Sequence, residues 1–109
     1  MSWFAKLLGG SGGGTDASEL LARDADLIDV RTPAEFAGGH ARGFRNVPLA
    51  AIGARTPELK EAGRPVVVCC RSGGRSAQAE RMLREAGVEV ANAGSWQAAQ
   101  RLVDAAGRG

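Results

Sequence analysis

The chain has no tyrosine, one histidine (His40), two cysteines that are immediate neighbours (Cys69 and Cys70), and only 5% aromatic residues in its 109. Adjacent cysteines close only a strained ring, so the pair is not read as a disulfide framework, and nothing argues for an oxidising compartment. A lone histidine does not build a metal site, and neither a metal nor an organic cofactor is expected. No apolar run approaches the about 20 residues of a membrane span, and the basic start and apolar stretch of a signal peptide are missing. A soluble, cytoplasmic protein is therefore expected. The charge is also without a strong bias: 14 Lys+Arg are interspersed with 12 Asp+Glu, for a formal net charge of +2. That balance argues against a general nucleic-acid surface and leaves anion affinity to a local site.

What is present fits one globular domain with a core of its own, at 44% hydrophobic residues. Residues 1–14 are set apart as a tail and a glycine-rich joint, because Gly9 to Gly14 hold five glycines and a serine. Trp3, Phe4, Leu7 and Leu8 in that tail read as a segment packed on the domain or left loose; the alternative is a small membrane-surface or partner-binding turn. The domain is expected over residues 15–109.

From Thr15 onward helix-like and strand-like segments alternate. Thr15 or Asp16 is placed to cap a short helix through Arg23, and Leu27 to Val30 read as a strand. Pro33 opens a brief helix carrying Glu35 and Phe36, stopped at Gly38 and Gly39. Phe44 to Leu49 look extended, and Pro57 to Ala62 allow another helix ended by Gly63. PVVVCC, Pro65 to Cys70, is the clearest strand, since consecutive β-branched residues without polar alternation suit a strand covered on both faces. Ser76 to Ala86 place Ala79, Met82, Leu83 and Ala86 on one helical face before Gly87. Val88 to Ala91 read as a last strand, and Ser95 caps a last helix with Trp96, Ala99 and Val103 on one side. Strands separated by helices imply an α/β fold with a largely parallel sheet covered on both faces.

Ligands of such sheets gather at the carboxyl ends of the strands. There the chain reads Cys70-Arg71-Ser72-Gly73-Gly74-Arg75-Ser76. The glycines let the backbone curl so that successive N–H groups converge, and the helix beginning near Arg75 adds its positive end. A cysteine at that point is favoured as thiolate, the nucleophilic form. Arg71 and Arg75 add positive charge and paired donors for an oxyanion. Two cysteines compete for the role. From Cys69 the spacing to Arg75 is Cys-x5-Arg, that of phosphatase-type loops; from Cys70 it is Cys-x4-Arg, a smaller loop. Strand alternation sends the two sulfurs to opposite faces, so only one leads into the loop.

Two segments, LIDVRTPAEFAGGHARGFRNVPL and VVVCCRSGGRSAQAERMLREAGV, resemble the paired motifs of the rhodanese (thiosulfate sulfurtransferase) family in its single-domain form. The resemblance spans roughly Thr15 to Ala99. It implies a three-layer fold with a central, mostly parallel five-stranded sheet flanked by helices. It also implies Cys70 as catalytic cysteine, Arg71, Ser72, Gly73, Gly74 and Arg75 as substrate loop, and Ser76 as loop support. The implied activity is transfer of a sulfane sulfur from thiosulfate, or a persulfide, through a Cys70 persulfide. The acceptor is cyanide or a thiol, with glutathione and a thioredoxin-like protein among the candidates. The family's terminal "GG…W" segment reads here as NAGSWQAAQ, Asn92 to Gln100, so a different wall is expected there.

Asp29 and Arg31 are read as a buried pair supporting the loops, His40 as a hydrogen-bonded structural histidine, and Glu35 as a helix-surface or loop-tethering carboxylate. Cys69 reads as a buried strand cysteine rather than a redox partner of Cys70, and Trp96 as an anchor for the last helix. Arg42 and Arg45 either widen the positive field or are solvated surface charges. Two rival functions remain: a persulfide carrier or sulfide-sensing module that docks on a partner without turnover, and a Cys-x5-Arg phosphatase or arsenate reductase using Cys69.

Overall fold

The computed structural model of the chain describes residues 16–107. The expectations for the tail and the glycine joint fall outside these residues. Nine elements follow in order: α1 (Ala17–Leu21), β1 (Asp26–Asp29), α2 (Pro33–Ala37), β2 (Arg45–Asn46), α3 (Leu49–Ala62), β3 (Val66–Cys70), α4 (Gly74–Glu85), β4 (Val90–Ser95) and α5 (Trp96–Ala105). The strands form one parallel sheet in the order β2-β1-β3-β4. Among the described residues there are four strands, not five. The residue pattern itself offers four strand-like segments, and the fifth was implied by resemblance alone.

β1 and β3 occupy the middle of the sheet and are buried along their whole length. Alternate residues therefore serve two cores. On one face Leu20, Leu21, Phe44, Val67, Cys69, Ala91, Ala99 and Val103 pack together under α1 and α5; on the other, Ile28, Ile52, Leu59, Val68, Cys70, Ala79 and Leu83 pack under α3 and α4. Leu20, Ile28, Ile52 and Leu83 are fully buried; each stabilises the fold by about 1.5–3 kcal/mol relative to exposure.

The helix ends follow from local chemistry. Asp16 caps α1 by accepting from Ser18 N at 2.9 Å. Thr32 and Glu35 form a capping box around Pro33. Gly63, at φ 71°, ends α3 in the left-handed region that favours glycine. α3 starts at Leu49 rather than at Pro57. The turn after Pro48 already helps to anchor the chain, with Leu49 N donating to Val30 O at 3.0 Å, and Pro57 costs only the bond to the carbonyl of exposed Gly53, which water can serve. Of the stretch expected to be extended at Phe44–Leu49, Arg45–Asn46 form β2, Val47 N still donates to Asp29 O at 3.0 Å, and Leu49 already belongs to α3.

Candidate active site

β3 runs out at Cys70, and the chain turns through Arg71–Gly73 into α4. The first N–H groups of α4 have no partner within the helix. Here they close on sulfur: Gly73 N, the N-cap, stands 2.9 Å from Cys70 Sγ, Ser76 N 3.4 Å and Ser76 Oγ 3.3 Å. Gly73 makes the turn possible, because its φ of 107° lies where an L side chain is strained. Burial works against a charged Cys70. The Ser76 hydroxyl, the Ser76 and Gly73 N–H groups and that of Ser72 outweigh it, and the thiol sits below its ordinary pKa.

Cys69 has the opposite environment. Its sulfur lies in the core beneath α1 and α5, fully buried. Burial first, then the negative charge of Asp29, push its thiol far up. The Cys-x5-Arg reading thus sets its nucleophile inside the core and not at the loop.

A second ring of contacts holds the loop in place. Arg75 pairs with Glu35 through two bonds of 2.8 and 3.0 Å, tying α4 to α2. The Arg75 bond, followed by the Thr32 N–H, holds the Glu35 carboxyl down at about 2. Arg75, expected in the substrate loop, has both terminal nitrogens on Glu35 in this structure. Asp29 and Arg31 are 0% and 4% exposed and bound in three side-chain bonds of 2.8–3.0 Å. Arg31 also donates to Gly39 O at 2.7 Å and lies 5.2 Å over the Trp96 ring. Asn46 Nδ2 donates to the carbonyls of both Asp29 and Arg31. The Asp29–Arg31 pair is thus buried and bonded to the chain at Gly39 and Asn46.

Arg71, next to Cys70 in the chain, is exposed. With Arg31, Ala34, Gly39, Trp96 and Gln97 it lines a hollow of about 310 Å³. Trp96 anchors α5 on the core and also walls this hollow. Glu35 borders it as well, while Arg75 borders a larger hollow of about 540 Å³ with Val30, Leu49 and Met82. The Glu35–Arg75 pair thus stands between the two.

Other expected residues lie apart. His40 hydrogen-bonds Phe36 O through Nδ1 at 2.9 Å and stacks on the Phe36 ring, as a structural histidine does. Arg42 pairs with Asp104 at 2.7 Å and Arg45 with Asp26 at 3.0 Å, so both are held in ion pairs away from the loop. Sequence reasoning missed Asn92, whose Nδ2 donates to Gly73 O at 3.3 Å. In the sequence it stands only as the first residue of NAGSWQAAQ, and the Asn-x-Gly after a strand is the available signal.

Comparison with known proteins gives a consistent result. Residues 15–102 match the family model described as Rhodanese-like domain. The chain is 45% identical over 65 residues to the Bacillus subtilis protein YqhL, covering 60% of this chain and 51% of that one. It is 39% identical over 84 residues to "Thiosulfate sulfurtransferase 16, chloroplastic" of Arabidopsis thaliana, covering 67% of this chain and 70% of the relative. The chain thus spans about half of the one relative and 70% of the other. Among solved structures, a rhodanese with anions from E. coli superposes with a TM-score of 0.62 at 33% identity, covering 68% of this chain and 89% of that one.

Proposed function

Because the chain belongs to the rhodanese-like domain family, we propose that it moves sulfane sulfur through a persulfide on Cys70, with thiosulfate or a small persulfide as donor. Membership in the family supports a sulfurtransferase or persulfide-related role in general. The observation that carries the finer reading is the convergence of Gly73 N, Ser76 N and Ser76 Oγ on Cys70 Sγ.

In the first half-reaction the Cys70 thiolate attacks the outer sulfur of thiosulfate. The S–S bond of the donor breaks, its electron pair leaves with sulfite, and a Cys70 persulfide anion remains. Charge is conserved, two on thiosulfate and one on the thiolate becoming two on sulfite and one on the persulfide. The lowered Cys70 pKa supplies the nucleophile. Donors preset at 2.9–3.4 Å from Sγ suit the negative sulfur of the attacking thiolate, so they need little reorganisation before the attack. Arg71, exposed and next to Cys70 in the chain, is the cation available to the incoming anion, since Arg75 is held by Glu35.

In the second half-reaction cyanide or a thiolate takes the outer sulfur, and its bond to Cys70 Sγ breaks with the electron pair returning to Cys70. Thiocyanate or a new persulfide is released, and no oxidant or reductant besides donor and acceptor is consumed. A cytoplasmic setting and a thiol acceptor such as glutathione or a thioredoxin-like protein belong to this proposal. Among the described residues no helix is long and apolar enough to cross a membrane.

The test is thiocyanate formation from thiosulfate and cyanide by wild type, Cys69→Ala and Cys70→Ser. Turnover retained in Cys69→Ala and abolished in Cys70→Ser is expected. Turnover retained in a folded Cys70→Ser would remove Cys70 from its assigned role.

A further inference from the structure

β3 and β4 pair out of step at one point. Val68 faces Asn92, yet Cys69 faces Gly94 and Cys70 faces Ser95, so Ala93 is an extra residue on β4. The bulge lies opposite the step from Val68 to Cys69, one residue before Cys70. Gly94, at φ 87°, provides its left-handed residue. Asn92 closes it: Oδ1 accepts from Gly94 N at 2.8 Å, and the free Nδ2 reaches across to Gly73 O at 3.3 Å.

Gly73 is the pivot of the loop. Its N–H makes the shortest contact with Cys70 Sγ, 2.9 Å, and its carbonyl receives three donors. Two of these, Ala77 N at 2.9 Å and Ser76 Oγ at 3.2 Å, belong to α4 and move with it. Asn92 is the one of the three that comes from the sheet. The loop and the bulge also approach closely there, since a Cβ on Gly73 would lie 3.7 Å from Gly94 Cα.

We infer that Asn92 is a positioning residue for Cys70: by bonding the bulge with one end of its amide and Gly73 with the other, it holds the Gly73 N–H aimed at the reactive sulfur. The inference rests on Cys70 being the reactive group of the proposed function. Its test reads thiol reactivity and not sulfur transfer, so the two fail separately.

The experiment is the pH profile of Cys70 alkylation by iodoacetamide in a Cys69→Ala background, with melting temperature measured alongside. Asn92→Leu, close in size without the amide, and Asn92→Ala are compared with the parent. Both are expected to move the profile to higher pH and to slow alkylation on its acid side by about threefold to tenfold, the worth of one hydrogen bond. A profile that stays in place while the melting temperature falls would make Asn92 a bulge residue only and overturn the inference. If neither variant folds, the parent protein decides. The Asn92 side-chain amide resonances should follow the Gly73 amide through the Cys70 titration with one midpoint, and Asn92 resonances that ignore that titration would equally overturn it.

Discussion

Removing the Ser76 hydroxyl measures how much of the Cys70 thiolate depends on the loop donors. Ser76 is fully buried, and its single hydroxyl proton has two acceptors within reach, Cys70 Sγ at 3.3 Å and Gly73 O at 3.2 Å. A hydrogen bond to a charged group contributes about 1.5–3 kcal/mol, and the competing carbonyl argues for the lower end. Loss of about 1.5 kcal/mol lowers the thiolate-to-thiol ratio roughly tenfold, which displaces a titration by about one pH unit. Ser76→Ala leaves the Ser76 N–H and Gly73 N–H in place, so the change isolates the hydroxyl. The assay is the pH dependence of Cys70 alkylation followed by intact mass. A midpoint about one pH unit above wild type is expected. An unchanged midpoint in a folded variant would refute the reasoning, because the hydroxyl would then serve Gly73 O alone.

Three further perturbations probe the surrounding frame. Gly73→Ala places a side chain at φ 107°, so it should destabilise the fold by about 1–3 kcal/mol and swing the Gly73 N–H off the sulfur; urea unfolding and the alkylation profile read the two effects, and an unaltered profile would exonerate the turn. Asp29→Ala leaves the Arg31 guanidinium 4% exposed without its carboxylate, at a cost of about 3–5 kcal/mol in chemical denaturation; a loss below about 1 kcal/mol would mean the pair behaves as a surface one. Glu35→Gln should be less stable than wild type at neutral pH. Because the folded-state value is depressed, from 4.5 to about 2, this advantage of wild type is full above pH 4.5 and disappears as pH falls through about 2. A stability gap that stays undiminished as pH falls from 4.5 to about 2 would contradict the assignment to the Arg75 pair.

The middle of the chain could be read because its pattern has one physical solution. Five apolar residues running into Cys70 demand burial on both faces, and the glycines after them demand a turn with converging N–H groups. The opposite orientations of Cys69 and Cys70 follow from strand alternation and recur in the two cores. Local rules failed where a distant contact decides. Pro57 looks like a helix start, yet α3 already begins at Leu49, whose N–H is bonded to Val30 O. β4 was read as Val88 to Ala91 and runs instead over Val90–Ser95, since pairing with Cys69 and Cys70 carries the strand through an Asn-Ala-Gly that alone reads as a turn. Arg75 was legible as a cation near the loop, but its direction depends on Glu35, 40 residues away. The Asn-x-Gly motif marks Asn92, but its bond to Gly73, 19 residues away, is again a distant contact.

The central claim is that Cys70, at the focus of the loop donors, carries the transferred sulfur. Its most direct test is intact mass of reduced wild type, Cys69→Ala and Cys70→Ser after incubation with excess thiosulfate, with sulfite assayed in the same samples. One added sulfur on wild type and Cys69→Ala, none on Cys70→Ser, and sulfite released in equal amount is the expected result. Sulfur gained by Cys70→Ser would contradict the claim, and no gain on folded wild type would contradict thiosulfate as the donor.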